Sequence, residues 1–524
     1  MQKTGVQFVR EELERIAPDY QLLADCLEGE RAVKGMVNND VSSHLGVGVY
    51  ASPRSLLRNG NVVNASAARR YLPQPNPTDT SEENAARYDA YVTRAVFYNA
   101  TARTRDGYLG QLFQRPPVLD LPEGLRVVAE DTTGERVDIV QSMKEAVGYV
   151  LPYGRAGLLA DYPLTAKALS RAEQESGMVR PVIRTYAPWN ITNWRERQVG
   201  AARILELVVL REQYSVVGED GFSMESRWQY RELALNSDGE YGVRIWRESE
   251  NGGEYAVWRR WVFPKNAAGQ PFRRIPFFFV GSSNNDPKLD RPPFLDIAKV
   301  NLGHYRNSAD YEEASFMLGQ PSPVFSGLTQ EWYEDVLQGK ILFGARAAIP
   351  LPEGGTATLL QPNANTMPIE AMKHKEAQLV TLGARIAESP AVMRTATEAT
   401  ITAVETHSPL LSTAANVGSA YADALRVCAE FAGVAASADA IKVEITSEAT
   451  LQMLSTAERQ QQREDFAAGI LTFDEVRHNL RRAGVATLPD ADARAHYDET
   501  VTRREQQSMT QEATDDAGTE DQQE

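Results

Sequence analysis

Two helical stretches carry too little apolar surface for an ordinary core and bracket an excursion broken by proline and glycine; no other feature constrains the fold as much. The first runs from about Phe294 to Leu318 and contains NLGHYRNSADYEEASF (301–316). Its candidate buried stripe is Ala298, Leu302, Tyr305, Ala309, Glu312 and Phe316, at alternating spacings of four and three. That seam is narrow, because a globular helix normally shows a wider apolar face. Gly303 lowers helix propensity by about 1 kcal/mol relative to Ala. The second stretch, from about Ile369 to Glu388, has an equally lean seam of Ile369, Met372, Glu376, Leu379, Gly383 and Ile386. Between them lie residues 319–368, so the pattern predicts an antiparallel hairpin with a small mixed module at its tip.

One such hairpin is marginal by itself. Copies arranged in a ring would pack side against side and obtain the missing burial from one another. A surface hairpin on a monomeric enzyme fits the pattern equally well. A third helix, about Glu405 to Phe431, carries the seam Leu411, Ala414, Gly418, Tyr421, Leu425, Cys428 and Ala432. Its mixture of small and large residues lets backbones approach closely, as small seams in ordinary cores also do.

The rest of the chain predicts a mixed fold. Helical spacing runs through residues 7–36, interrupted by Pro18, then from Ser81 toward Leu112, and again over about Val137 to Val150. From Arg155 the period changes to two, in RAGLLADYP and RPVIRTYAPWNITNW. Five strand candidates follow between Arg203 and Phe279: RILELVVLREQY, SRWQYRELALN, EYGVRIWRES, EYAVWRRWVFP and IPFFFVG. GEDG, NSDGE and ENGGE separate the first four, which predicts antiparallel hairpins. The excursion offers a short helix at QEWYEDVLQ and strands at KILFG and TATLLQP. IKVEIT reads as a lone strand, and residues 448–484 as two helices separated by Gly469. Residues 505–524 hold seven acids and no base or aromatic, the composition of a disordered tail.

Charge and motifs narrow the function. With 55 basic and 71 acidic side chains the net charge is -16, which disfavours a tightly held polyanion. Cys26 and Cys428 are the only cysteines, too few for a disulfide framework or a zinc cage, and fit a reducing compartment. The N-terminus has no secretory apolar region and no run reaches the ~18 residues of a membrane span, so a cytoplasmic protein is expected. GxxxxGK[ST], HExxH and G-x-S-x-G are absent, and GVGVYA (46–51) is no dinucleotide fingerprint. The six histidines show no paired metal spacing. No cofactor is expected.

Three blocks, GRAGLLADYP (154–163), RPVIRTYAPWNITNW (180–194) and FLDIAKVNLGHYRNSADYEEASFMLGQPSPVFSG (294–327), together with the order of elements, resemble tailed-bacteriophage portal proteins. The likeness is to a branch long catalogued as a domain of unknown function, and it covers roughly residues 10 to 490. It implies an α+β portal-type fold and a non-enzymatic ring, usually of twelve subunits, at one capsid vertex in the virion, assembled in the host cytoplasm. Double-stranded DNA would pass through it without sequence-specific contact. Partners would be the terminase large subunit, a head-to-tail adaptor, and major capsid or scaffolding protein, with no membrane.

By the same resemblance residues 1–290 form an α/β wing, 291–318 and 369–388 the two stem helices, and 319–368 the clip. Residues 389–404 form the tunnel loop, 405–446 the long wing helix and a returning strand, and 447–504 a helical crown, before the acidic tail at 505–524. Lys373, Lys375, Arg394, Thr395, Thr397 and Thr400 are then candidates for the DNA tunnel, although a solvated face or subunit salt bridges account for the bases equally well. Trp332, Tyr333 and Leu337 are candidates for partner binding at the clip, with burial between neighbouring clips as the alternative. Leu302, Tyr305, Phe316, Ile369, Met372, Leu379 and Ile386 would form a seam between subunits of the stem. The rival readings are an acidic hydrolase acting on nucleic acid, its site assembled from scattered carboxylates, and a capsid shell or scaffolding protein.

Overall fold

The computed structural model describes residues 5–35, 55–58, 61–162, 180–249, 254–319, 322–337, 349–360, 366–387, 409–435, 440–445, 456–482 and 492–503, with single positions 437, 486 and 488. The fold is mixed α and β. Its N-terminal part consists of α1 (Glu11–Glu28), α2 (Glu30–Val33), a small hairpin of β1 (Ser55–Arg58) and β2 (Asn61–Asn64), α3 (Ala65–Tyr71), α4 (Glu82–Arg94) and α5 (Ala100–Leu112). The expected interruption at Pro18 does not occur. Leu13, Ala17, Tyr20, Leu23 and Cys26 bury one face of α1, and that burial outweighs the missing backbone donor.

The single helix expected over 81–112 is two, because Asn99 starts a new one: its Oδ1 accepts the Ala102 amide at 3.0 Å. Ser81 caps α4 in the same way through the Asn84 amide at 3.2 Å. Next come β3 (Val118–Asp120), α6 (Arg126–Glu130) and α7 (Ile139–Tyr153), which Asp138 caps at 2.7 Å and Gly154 ends in the left-handed region.

β4 (Arg155–Asp161) is buried along its whole length at the centre of a three-stranded sheet, between β5 (Val182–Tyr186) and β11 (Phe277–Gly281). β6 (Ile191–Val199), β7 (Ala202–Val217), β8 (Met224–Leu235), β9 (Tyr241–Glu248) and β10 (Tyr255–Val262) form an antiparallel meander in the spatial order β10-β9-β8-β7-β6. The expected hairpins are therefore present, and IPFFFVG leaves the meander to complete the central sheet.

α8 (Leu295–Gly319) leads to β12 (Ser322–Ser326), which pairs with β13 (Thr356–Leu360), and α9 (Met367–Ala387) returns. The helix expected at QEWYEDVLQ is a single π-turn, Trp332–Val336. α10 (Pro409–Ala432) crosses the central sheet and α7; its Tyr421 hydroxyl lies 2.6 Å from Ser142 Oγ. β14 (Lys442–Glu444) is not a lone strand: it pairs with β3, more than 300 residues earlier, in a segment that sequence pattern assigns to a chain break. Gly418 permits this, since a Cβ there would lie 2.6 Å from the Val443 carbonyl oxygen. α11 (Thr456–Ala467), α12 (Phe473–Arg482) and a helix over 492–503 complete the described chain. KILFG, residues 389–404 and the acidic tail lie outside the described residues.

Candidate functional site

The hairpin of α8 and α9 with its small tip is only partly completed by its own chain. Its root is an exception. Leu295, Ile297, Ala298, Leu302, Tyr305 and Ala309 are buried against the N-terminal helices, with Tyr305 edge-on to Phe97 at 5.9 Å and Phe294 edge-on to Tyr108 at 6.2 Å. Between them sit buried Asn301, His304 and Ser308. These polar residues make α8 look lean in sequence, and each meets the α4–α5 connection or α9.

Asn301 Oδ1 accepts the Thr101 amide at 3.0 Å and hydroxyl at 2.9 Å, while its Nδ2 donates to the Tyr98 carbonyl at 2.7 Å. Ser308 Oγ accepts the Val96 amide and donates to the Val96 carbonyl, both at 2.8 Å. Arg306 Nε donates to the Tyr71 carbonyl at 2.8 Å. The last contacts with the body are Tyr91, whose hydroxyl donates to Asp310 at 2.6 Å, and Arg94, which pairs with Glu313 and lies 4.2 Å over the Phe316 ring. Burial and the Asp310 carboxylate together hold the Tyr91 hydroxyl well above the ordinary tyrosine range.

α9 is attached by fewer groups. Lys375 lies across Gly303, where a Cβ would come within 3.0 Å of its Cε, and its Nζ donates to Asn307 Oδ1 at 2.6 Å. His304 Nε2 is 3.2 Å from Glu376 Oε1, and the Tyr108 hydroxyl donates to the Gly383 carbonyl. Among the described side chains of α9 only Leu379 and Gly383 are buried, whereas Met367 and Val380 are 68% and 72% exposed. Phe316 and Met317 on α8 are also exposed. At the tip, Val324 and Leu359 on the β12–β13 ribbon are exposed, as are Tyr333 and Val336.

The sequence candidates therefore separate. Leu302 and Tyr305, expected between subunits, are 2% and 0% exposed within one chain, so they hold α8 to its own body. Leu379 is likewise covered, Ile369 and Met372 are half-buried, and Phe316 is open. Ile386 lies on α9, its side chain outside the described set. Leu337 is buried in the tip, Trp332 Nε1 donates to the Pro350 carbonyl at 3.2 Å, and Tyr333 is exposed. Lys373 is exposed while Lys375 is engaged with Asn307. Arg394, Thr395, Thr397 and Thr400 lie outside the described residues.

Titratable groups elsewhere are engaged in structural joints. Arg231, buried where the two sheets meet, donates to Asp161 at 3.1 Å and to Glu212 at 2.8 Å; Glu212 also accepts from Tyr186 at 2.6 Å and Gln229 at 2.9 Å. Burial pushes the Glu212 carboxyl up, but Arg231 and these hydrogen bonds outweigh it and leave it below the usual range. Sequence pattern could not reveal this cluster, whose members come from four strands. Both cysteines are buried and unpaired. Among the described residues no group of three or more His, Cys, Asp or Glu is placed to hold a metal ion, and no helix is long and apolar enough to cross a membrane.

A protein-family profile described as a domain of unknown function, DUF4055, matches residues 293–432, the stretch from α8 through the tip and α9 to the end of α10. No curated protein matches the chain. Among solved structures, the chain is similar to a chain in the virion of a native gene transfer agent particle, at 13% identity and a TM-score of 0.36, covering 76% of this chain and 94% of that one. It is also similar to a chain in the neck of an empty gene transfer agent particle computed with C6 symmetry, at 13% identity and a TM-score of 0.38, covering 75% and 91%.

Proposed function

We propose that the chain is the subunit of a portal-type ring: a structural conduit at one capsid vertex through which double-stranded DNA passes, with α8 and α9 as stem and the β12–β13 module as clip. The observation that carries this reading is the contrast along the hairpin. The root of α8 is covered by its own chain, but its far end, the tip and most of α9 are open and carry Phe316, Met317, Val324, Leu359, Met367 and Val380. Exposed apolar residues aligned along a rod form a surface that identical neighbours related by rotation would cover.

The three sequence blocks that resemble portal proteins support the same reading. So does the net charge of -16, since each phosphate neutralised by a basic side chain would strengthen a salt-dependent grip on DNA, and a conduit needs a weak one. Terminase and a tail adaptor would dock at the tip, where Tyr333 and Val336 are exposed. By the resemblance, residues 389–404, which lie outside the described residues, would form the tunnel loop.

Light scattering and negative-stain imaging of the purified full-length protein test the proposal. Annular particles with a central channel are expected, of about 700 kDa for twelve copies of a 58.0 kDa chain. A monomer at high protein concentration would overturn it, and closed shells would favour the capsid reading.

A further inference from the structure

The longest ribbon of the meander ends in an ordered, apolar point. β7 and β8 pair without a register shift from Leu207 opposite Ala234 to Val217 opposite Met224, and the turn between them is held tightly. Gly218 N donates to the Ser223 carbonyl at 2.8 Å, and Asp220 Oδ1 accepts the Phe222 amide at 3.0 Å, the Ser223 amide at 2.8 Å and the Ser223 hydroxyl at 2.7 Å. The turn presents Phe222 at 95% exposure, between Val217 and Met224, which are also open. Glu219 and Asp220 give this point a negative charge. A turn that its own hydrogen bonds hold in shape while it displays a bare phenyl ring is preorganised to be received elsewhere.

A receiving surface exists on the same chain. Asn266, Gln270, Pro271, Arg273, Arg274 and Glu430 surround a cleft of about 600 Å³, floored by Phe272, which packs on Phe431 at 4.2 Å. Arg274 is paired with Glu430, while Arg273 donates to the Asp238 carbonyl at 3.1 Å and has no carboxylate partner among the described residues, so the rim keeps a positive charge. Floor and rim complement the apolar, acidic turn.

The two cannot meet within one molecule. The cleft adjoins the β8–β9 turn, where Tyr241 N donates to the Phe272 carbonyl at 2.7 Å, and the Phe222 turn is at the other end of β8. The 12 residues of that strand separate them by about 36 Å at roughly 3.3 Å per residue. We infer that Phe222 of one subunit inserts into the Asn266–Arg274 cleft of a second copy of this chain. Unlike surfaces at opposite ends of a rigid ribbon make a head-to-tail contact, the type that closes into rings. The inference rests on the ring reading and adds a contact in the wing, remote from the hairpin.

The experiment uses full-length protein carrying Phe222→Cys and Gln270→Cys, both at exposed positions, with Cys26 and Cys428 left in place because they are buried. Oxidation is expected to give a ladder of covalent multimers on a non-reducing gel, and neither single variant should give it. Phe222→Ala should raise the concentration for half-assembly about tenfold or more, as truncation of a buried aromatic anchor does. In a mixture of Phe222→Ala and Arg273→Glu subunits only every second wing contact can form, so half-assembly should again need a higher concentration than in the wild type. Rings that persist in Phe222→Ala with no cross-linked ladder would overturn this inference and leave the ring reading intact; a monomeric wild-type protein would overturn both.

Discussion

The buried carboxamide of Asn301 on α8 receives the amide and the hydroxyl of Thr101, 200 positions earlier in the chain, at 3.0 and 2.9 Å. A helix that appears meagre in sequence is thus secured by directed polar contacts. Replacing Asn301 with Ala leaves the Thr101 amide and hydroxyl without their acceptor in a buried site, while the Tyr98 carbonyl keeps the Ala100 amide at 2.8 Å. That should cost about 2–4 kcal/mol, read as a fall in the urea midpoint for the N-terminal region. A loss below about 1 kcal/mol would mean that water satisfies both groups.

Two glycines predict opposite signs. Gly418 faces the Val443 carbonyl so closely that a methyl group would lie 2.6 Å from it, while no atom of the described residues stands within 4 Å of a methyl group at Gly110 on α5. Gly418→Ala must push β14 away from α10 and loosen its pairing with β3, at about 2–3 kcal/mol. Gly110→Ala should stabilise by up to about 1 kcal/mol through helix propensity alone. Thermal midpoints of the two variants decide it, and a shift in the same direction for both would contradict the assigned contact.

The joint between the sheets predicts an acid limb. Glu212 has a folded pKa below its ordinary value, so its contribution is present above the unfolded pKa of about 4.3 and is lost as pH falls through the lower folded value. Thermal midpoints between pH 3 and 7 should therefore fall more steeply on the acid side for the wild type than for Glu212→Gln. Arg231→Met should be the more damaging change at neutral pH, by about 3–5 kcal/mol, since it removes the cation from buried Glu212 and leaves Asp161 to the half-exposed Arg184 alone. Equal acid slopes for wild type and Glu212→Gln would assign the acid sensitivity to other groups.

Gly303 reports on the attachment of α9. An added methyl group meets only the flexible arm of Lys375, at 3.0 Å, so Gly303→Ala should favour helix by up to about 1 kcal/mol while weakening the hydrogen bond from Lys375 to Asn307. Hydrogen exchange separates the two effects. Amides of α8 near residue 303 should be protected longer and those of α9 near 375 exchange faster; faster exchange on both helices would contradict this balance.

What sequence could reveal follows the range of the forces involved. The strands from Arg155 to Phe279 are legible because alternation of side chains and turn chemistry act over a few residues, and the paired helices because their spacing does. The partners of Asn301, Ser308 and Arg306 lie 200 or more positions away, so those polar residues read as a deficit of apolar surface when they are the attachment itself. For the same reason Leu302 and Tyr305 were expected between subunits, and β14 was expected to stand alone. Gly418 signalled a close approach without identifying a strand as the approaching element. The Arg231 cluster and the Phe222 turn needed coordinates, because neither burial of scattered charges nor exposure of a single phenyl ring is periodic.

The grip on α8 ends near Glu313, and the helix continues to Gly319 before the β12–β13 module begins. Mechanically this is a cantilever. Its overhang beyond Glu313 is about 9 Å at ~1.5 Å per residue, so a tilt of about 10° at the root would carry the end sideways by roughly 1.5 Å. A force applied to the tip would therefore return as torque on Asn301, Ser308 and Arg306, where directional bonds resist rotation in a way that a greasy contact, free to slide, would not.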